Sequence, residues 1–305
     1  MTASILLDSE IDGNFRSAVG GKAAVLGELM RHDLAIPPFF VIRAEVFAKI
    51  LKNLSDQECC AGESARLLRQ ILDVALPDDL TMSVKQGLSH IRGSDQEAVA
   101  VRSSAVEEDG ETASFAGQFE TLLGLRTMQE IAAAVRTCWA SLMSERAETY
   151  RRLRALKRSP HMAVIVQRLI EPESAGVLFT ANPVTYSAAE MVIESTFGFG
   201  AAVVQGMSTP DVFKVDRHSE SISSHTLGSK RRMCVMEHDG PVSIADTPEH
   251  LRTTYSLSDA EVLQLVQLGR RIESIMRCPQ DIEWAIRRGQ VHILQSRPLS
   301  ARQSV

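Results

Sequence analysis

Apolar residues recur at helical spacing through the first half of the chain. In "GGKAAVLGELMRHDL", Val25, Leu26, Leu29 and Met30 share a face, with Gly20, Gly21 and Lys22 where the helix begins. "IPPFFVI" stops that helix and starts an extended run. Further helical patterns cover 44–54 and 64–75, and another starts at Pro77 and Asp78 and reaches Ile91. The longest lies between Met128 and Lys157, with Ile131, Val135, Trp139, Leu142 and Met143 as its stripe, which reads as core packing. "EAVAVR" and "ETLLGL" read as strands flanking a polar loop. After Pro160 the texture changes. "HMAVIVQRLI", "AGVLFTANP", "EMVIEST", "DVFKVDR" and "ESISSHTL" are short β-type runs separated by Gly, Pro, Asn and Ser. One more helix is expected from Ser258, where Glu261 stands at capping-box spacing. The chain closes on "DIEWAIRRGQVHILQSRP", a hairpin turning near Arg287, Arg288 and Gly289. The fold class expected is α+β, helix-rich over 1–160 and sheet-rich over 161–305.

Composition adds a few exclusions. With 305 residues, 44% of them hydrophobic, the chain is long enough for a substantial core and two lobes. A net charge of -5 argues against a general binder of nucleic acid or anionic membrane, so any anion must be captured by local geometry. Cys59, Cys60, Cys138, Cys234 and Cys278 show no CxxC spacing, which fits a reducing compartment. The N-terminus lacks a basic start followed by an apolar stretch, and no segment approaches the ~18 apolar residues of a membrane span. A cytoplasmic protein with no membrane or nucleic-acid partner is the expectation.

Three elements carry candidate chemistry. Gly20, Gly21 and Lys22 suit a helix start where backbone N–H groups and a lysine meet an anion, or simply a helix start with a solvated lysine. Ala23 after the lysine rules out a Walker A loop. In "AVRSSAVEEDGETASFAGQFETLLGL", Arg102 at a strand end can fork onto phosphate oxygens. Ser114, Ala116 and Gly117 suit a backbone that wraps an anion, with Gln118 and Thr121 as donors. The competing reading pairs Arg102 with Glu107, Glu108 or Asp109. In the closing hairpin, Ile282, Trp284 and Ile286 face one side and Asp281, Glu283 and Ala285 the other. Gln295 and Arg297 are expected on the face of Val291 and Ile293. A three-residue loop with Gly289 left-handed would set Glu283 opposite Gln295. That arrangement offers a carboxylate and an amide oxygen to a hard cation such as magnesium, or else is a solvated face.

These elements, in this order, resemble the N-terminal ATP-binding domain of phosphoenolpyruvate synthase, pyruvate phosphate dikinase and rifampicin phosphotransferase. The matching stretches are "VGGKAAVLGEL", "AVRSSAVEEDGETASFAGQFET", "MAVIVQRLIEPESAGVLFTANPVT", "STPDVFKV" and "QDIEWAIRRGQVHILQSRPL". The resemblance implies an ATP-grasp fold, with ATP and Mg2+ between two lobes, 1–160 carrying the phosphate-binding loop and 161–305 the metal-binding hairpin. Lys22 and Arg102 would hold the phosphates, and Gly117, Gln118 and Thr121 would lie over them. Gln167 and Leu169 would line the adenine pocket. Glu283 and Gln295 would bind magnesium, and Arg297 would stabilise the phosphoryl group in transfer, with Lys22 and Arg102 also catalytic.

The function implied is the ATP-using component of a dikinase-type phosphotransferase. It would pass a phosphoryl or pyrophosphoryl group to a histidine on a separate swivelling domain or subunit, releasing AMP and phosphate. No segment resembles the phospho-histidine motif, so none of the eight histidines takes that role. The final small-molecule acceptor is left open by the sequence. Two other readings stand beside this one: a kinase acting directly on a small molecule, and a non-catalytic nucleotide-binding regulatory subunit.

Overall fold

The computed structural model describes residues 3–55, 63–105, 121–144, 161–237 and 240–299. It divides into two compact units, one of Met1–Glu28 with Pro38–Leu169 and one of Leu29–Pro37 with Ile170–Val305.

The first unit is built on an antiparallel five-stranded sheet. Its strands are β1 (Ile5–Leu7), β2 (Phe39–Ile42), β3 (Val99–Ala105), β4 (Thr121–Leu125) and β5 (Met162–Arg168), in the order β1-β2-β5-β3-β4. Its helices are α1 (Arg16–Arg31), α2 (Ala44–Ser55), α3 (Glu63–Asp73), α4 (Asp78–Ile91) and α5 (Met128–Ser141). Phe40, Ile42, Val99, Val101, Val164 and Val166 of the sheet pack against Phe47, Val84, Ile131, Val135 and Trp139 of the helices. Phe47 stacks on Trp139 with ring centroids 5.4 Å apart. Alternation therefore buries the odd positions of β3 in this core and leaves Arg102 and Ser104 on the other face.

The expected helices and strands are found, with two differences. The pattern read as one helix to Lys157 gives a helix that ends at Ser141. Residues 142–144 turn, although Leu142 and Met143 are buried as the stripe requires. Residues 145–157 lie outside the described residues. The division expected after residue 160 falls instead after Leu169. β5 pairs with β2 on one edge and β3 on the other, so it is the central strand of the first unit. Residues 29–37 join the second unit through the Ile293 N–H, which donates to Ala35 O at 2.9 Å, and through Arg271, which donates to His32 O.

The second unit has a six-stranded antiparallel sheet. It comprises β6 (Ser174–Phe179), β7 (Glu190–Phe197), β8 (Asp211–Asp216), β9 (Ser221–Thr226), β12 (Gln280–Arg287) and β13 (Gln290–Pro298), in the order β13-β12-β6-β7-β8-β9. A separate ribbon pairs β10 (Arg232–Met236) with β11 (Val242–Asp246). Two one-turn helices, α6 (Ala201–Val204) and α7 (Glu249–Arg252), precede α8 (Asp259–Met276). α8 begins with the expected capping box: the Glu261 N–H donates to Ser258 Oγ, and the Ser258 N–H to Glu261 Oε2 at 2.8 Å. It packs on the sheet face of Leu178 and Met191, whose side chains a Cβ at Gly269 would crowd. Within this unit Lys230 and Asp211 form a fully buried ion pair, and Asp211 also accepts from the Ser256 N–H and Oγ, each at 2.8 Å.

Candidate functional site

In the first unit, Gly20 interrupts α1 with φ 78° and ψ 172°, so the helix restarts at Gly21 and Lys22 as expected. Only glycine adopts this conformation readily. The turn docks on β3: the Lys22 ammonium donates to Ser103 O at 3.3 Å, and the Ala23 N–H to Ser104 Oγ at 3.3 Å. Arg102 is the residue before this pair of serines and is itself buried. Across the sheet, Arg102 pairs with Thr121 of β4, and Ala100 with Gln167 of β5. Cross-strand partners share a face and the pattern repeats every second residue. Arg102, Ser104, Thr121 and Gln167 therefore lie on one face of the sheet, the face on which the Lys22 turn sits. Leu169 follows β5, with its N–H donating to Ala98 O at 3.0 Å. Gly117 and Gln118 lie outside the described residues, as do Glu107, Glu108 and Asp109, the alternative partners for Arg102.

In the second unit, the closing hairpin turns on two residues, not three: Arg287 pairs with Gln290, and Arg288 and Gly289 between them have φ 50° and 73°. Two successive positive φ values define the tight turn that matches strand twist. Glu283 still stands opposite Gln295, because a bulge at Leu294 adds one residue to β13 between the pairs Trp284–Ile293 and Glu283–Gln295. The extra residue reverses the alternation. Val291 and Ile293 lie on the buried face with Trp284, while Gln295 and Arg297 lie on the face of Glu283 and Asp281. The shared face expected for Gln295, Val291 and Ile293 is corrected accordingly.

Two residues that sequence reasoning left out of the site stand beside those it included. Asp281 accepts from Arg297 Nε at 2.9 Å and Nη2 at 2.6 Å, which holds the guanidinium against the sheet. Glu194 lies in the row Glu194–Val177–Glu283–Gln295 across β7, β6, β12 and β13. Burial, reinforced by the charge of Asp281, raises the Glu194 carboxyl above its ordinary value. The signal for Asp281 was the strand alternation that puts it two residues before Glu283. Glu194 required the register of two further strands. Gln295 is 8% exposed, and its amide makes no hydrogen bond to another described residue. A carboxylate and a buried amide side by side suit a hard cation. Among the described residues no group of three or more His, Cys, Asp or Glu is placed to cage a metal. Nor is any described helix long and apolar enough to cross a membrane.

The first unit sets Lys22, on a glycine turn, beside the strand of the buried Arg102, and the second sets oxygen donors beside a fixed guanidinium. Side chains of these kinds are the ones polyphosphate chemistry uses. Residues 16–304 match the family described as pyruvate phosphate dikinase, AMP/ATP-binding domain, and the chain belongs to that family. It is 38% identical to a rifampicin phosphotransferase of Streptomyces sviceus, over 98% of this chain and 36% of that protein. It is 37% identical to a probable phosphoenolpyruvate synthase of Methanothermobacter thermautotrophicus, over 92% of this chain and 44% of that one. A prodigiosin synthesizing transferase, PigC, of Serratia marcescens is 36% identical, over 92% of this chain and 31% of its own. The chain thus spans less than half the length of these curated relatives.

Proposed function

We propose that this chain is the ATP-handling module of a dikinase-type phosphotransferase acting in the cytoplasm. It has an ATP-grasp fold and cleaves ATP, passing a phosphoryl or pyrophosphoryl group to a histidine. That histidine belongs to a swivelling domain or subunit outside these residues, and AMP and phosphate are released. The observation that carries the reading is the separation of roles between two sheet faces. One presents Arg102 with Thr121 and Gln167 beside the turn that carries Lys22, and the other presents Glu283, Gln295 and Arg297.

Lys22 and Arg102 neutralise phosphate charge, and the burial of Arg102 strengthens its pull by excluding water. Gly117 and Gln118, with Thr121, cover the phosphate chain, and Gln167 and Leu169 line the adenine pocket. Glu283 and Gln295 would hold Mg2+, which supplies charge neutralisation at the phosphate oxygens when bound. Arg297 stabilises the charge that develops on the group in transfer. Its bond to Asp281 fixes the guanidinium before the reaction, so little reorganisation is needed at the transition state.

Nucleotide chromatography after incubation with ATP and Mg2+, with and without cell extract, tests the reading. AMP appearing with extract is the expected result, and ADP in its place would make the protein a direct kinase. Glu283→Ala and Arg297→Ala are each expected to cut AMP formation at least ~100-fold, the scale of losing one transition-state donor, with the far-UV circular dichroism unchanged. Unaltered turnover in either variant removes that residue from the site.

A further inference from the structure

Lys22 is flanked by two anchors, and both rest on one residue. On its N-terminal side, Gly20 lies against Ser104 so closely that a Cβ there would stand 2.6 Å from the Ser104 carbonyl carbon and closer still to its O and Oγ. On its C-terminal side, the Ala23 N–H donates to Ser104 Oγ at 3.3 Å. Ser104 and Ala23 are both fully buried, so this hydroxyl is spent within the fold. Ser104 also lies two residues beyond Arg102 on the same strand and the same face. A lysine ammonium sits on a flexible four-carbon stem, and its position is only as fixed as the backbone that carries it. Two cations that repel each other gain a defined spacing only from a rigid link between their backbones.

We propose that Ser104 is a positioning residue that locks the Gly20 turn to β3 and so sets the Lys22 ammonium in register with Arg102. The inference rests on the reading of Lys22 as a residue that holds phosphate. Ser104 itself contacts no nucleotide and acts through Lys22. The Ser103 carbonyl, which accepts from the ammonium at 3.3 Å, is the local marker of the position so defined.

Calorimetric titration of the full chain with ATP and with AMP, both in Mg2+, tests this. Ser104→Ala is expected to weaken ATP about tenfold, the scale of one lost hydrogen bond. AMP, which lacks the outer phosphates, should change less than about twofold, and Ser104→Thr should restore most of the ATP affinity. In a Lys22→Met background, Ser104→Ala should cause no further loss, because the two changes act through the same group. If Ser104→Ala does not fold, Ser104→Cys, of similar volume and weaker as an acceptor, is read in the same way. Equal loss of ATP and AMP affinity, or the same loss with and without Lys22, would make Ser104 merely structural and overturn the proposal. A Lys22→Met protein that binds ATP normally would instead overturn the phosphate role of Lys22, and this inference with it.

Discussion

Glu194 shows how a single residue can record the site it faces. Its carboxyl is half-buried, and the charge of Asp281 acts on it. Desolvation is the larger cause of its raised value, followed by the like charge of Asp281. Between the ordinary value near 4.5 and the native value, the folded state keeps a proton that the unfolded chain has released. Stability contributed by this group therefore falls as pH rises through that window. Glu194→Gln removes the penalty and is expected to raise the melting temperature at neutral pH. The gain should vanish below pH 4.5, as a melting series from pH 4 to 7.5 would show. At this scale the sequence foretold placement where residue type and position are themselves the signal: Lys22 after two glycines at a helix start, Arg102 on a strand, Glu283 opposite Gln295 in one hairpin. Glu194 and Ser104 were silent because a glutamate or serine in a strand acquires meaning only from its cross-strand neighbours.

Among the elements, α8 and the closing hairpin mark the two limits of pattern reading. The Ser258–Glu261 spacing names a capping box, and the hydrogen bonds of that box are present. Ser258→Ala should cost about 1 kcal/mol of stability, read as a lower urea midpoint with ATP affinity unchanged. The hairpin reached the expected Glu283–Gln295 pair by a different route, a two-residue turn followed by a bulge. Strand alternation is legible, but an inserted residue that reverses it is not, since the bulge is defined only against its partner strand. The stripe of α5 teaches the same lesson. Leu142 and Met143 continue the apolar pattern because they are buried, while the backbone has already left the helix. Periodicity reports burial, and hydrogen bonding ends the helix.

For the whole molecule, the order of motifs along the chain was enough to read its family, since each motif is short but their succession is specific. Binding linkage then gives a global readout that does not depend on a partner. ATP at about 100 times its dissociation constant should stabilise the folded chain by about 2.7 kcal/mol. The corresponding rise in melting temperature should shrink when EDTA replaces Mg2+, as the Mg2+ site proposed at Glu283 and Gln295 requires. No rise with ATP in either condition would count against nucleotide binding by the module. What the sequence did not reveal at this scale is the excursion of residues 29–37 into the second unit. It rests on a backbone bond from the Ile293 N–H to Ala35 O that no local pattern encodes. That excursion bears on how such modules can be recombined. A single crossover after Leu169 would graft a foreign second unit onto a native 29–37 segment, so the edge beside β13 would be composed of two parents. Chimeras between relatives should therefore exchange both segments together, through three junctions, at 28/29, 37/38 and 169/170.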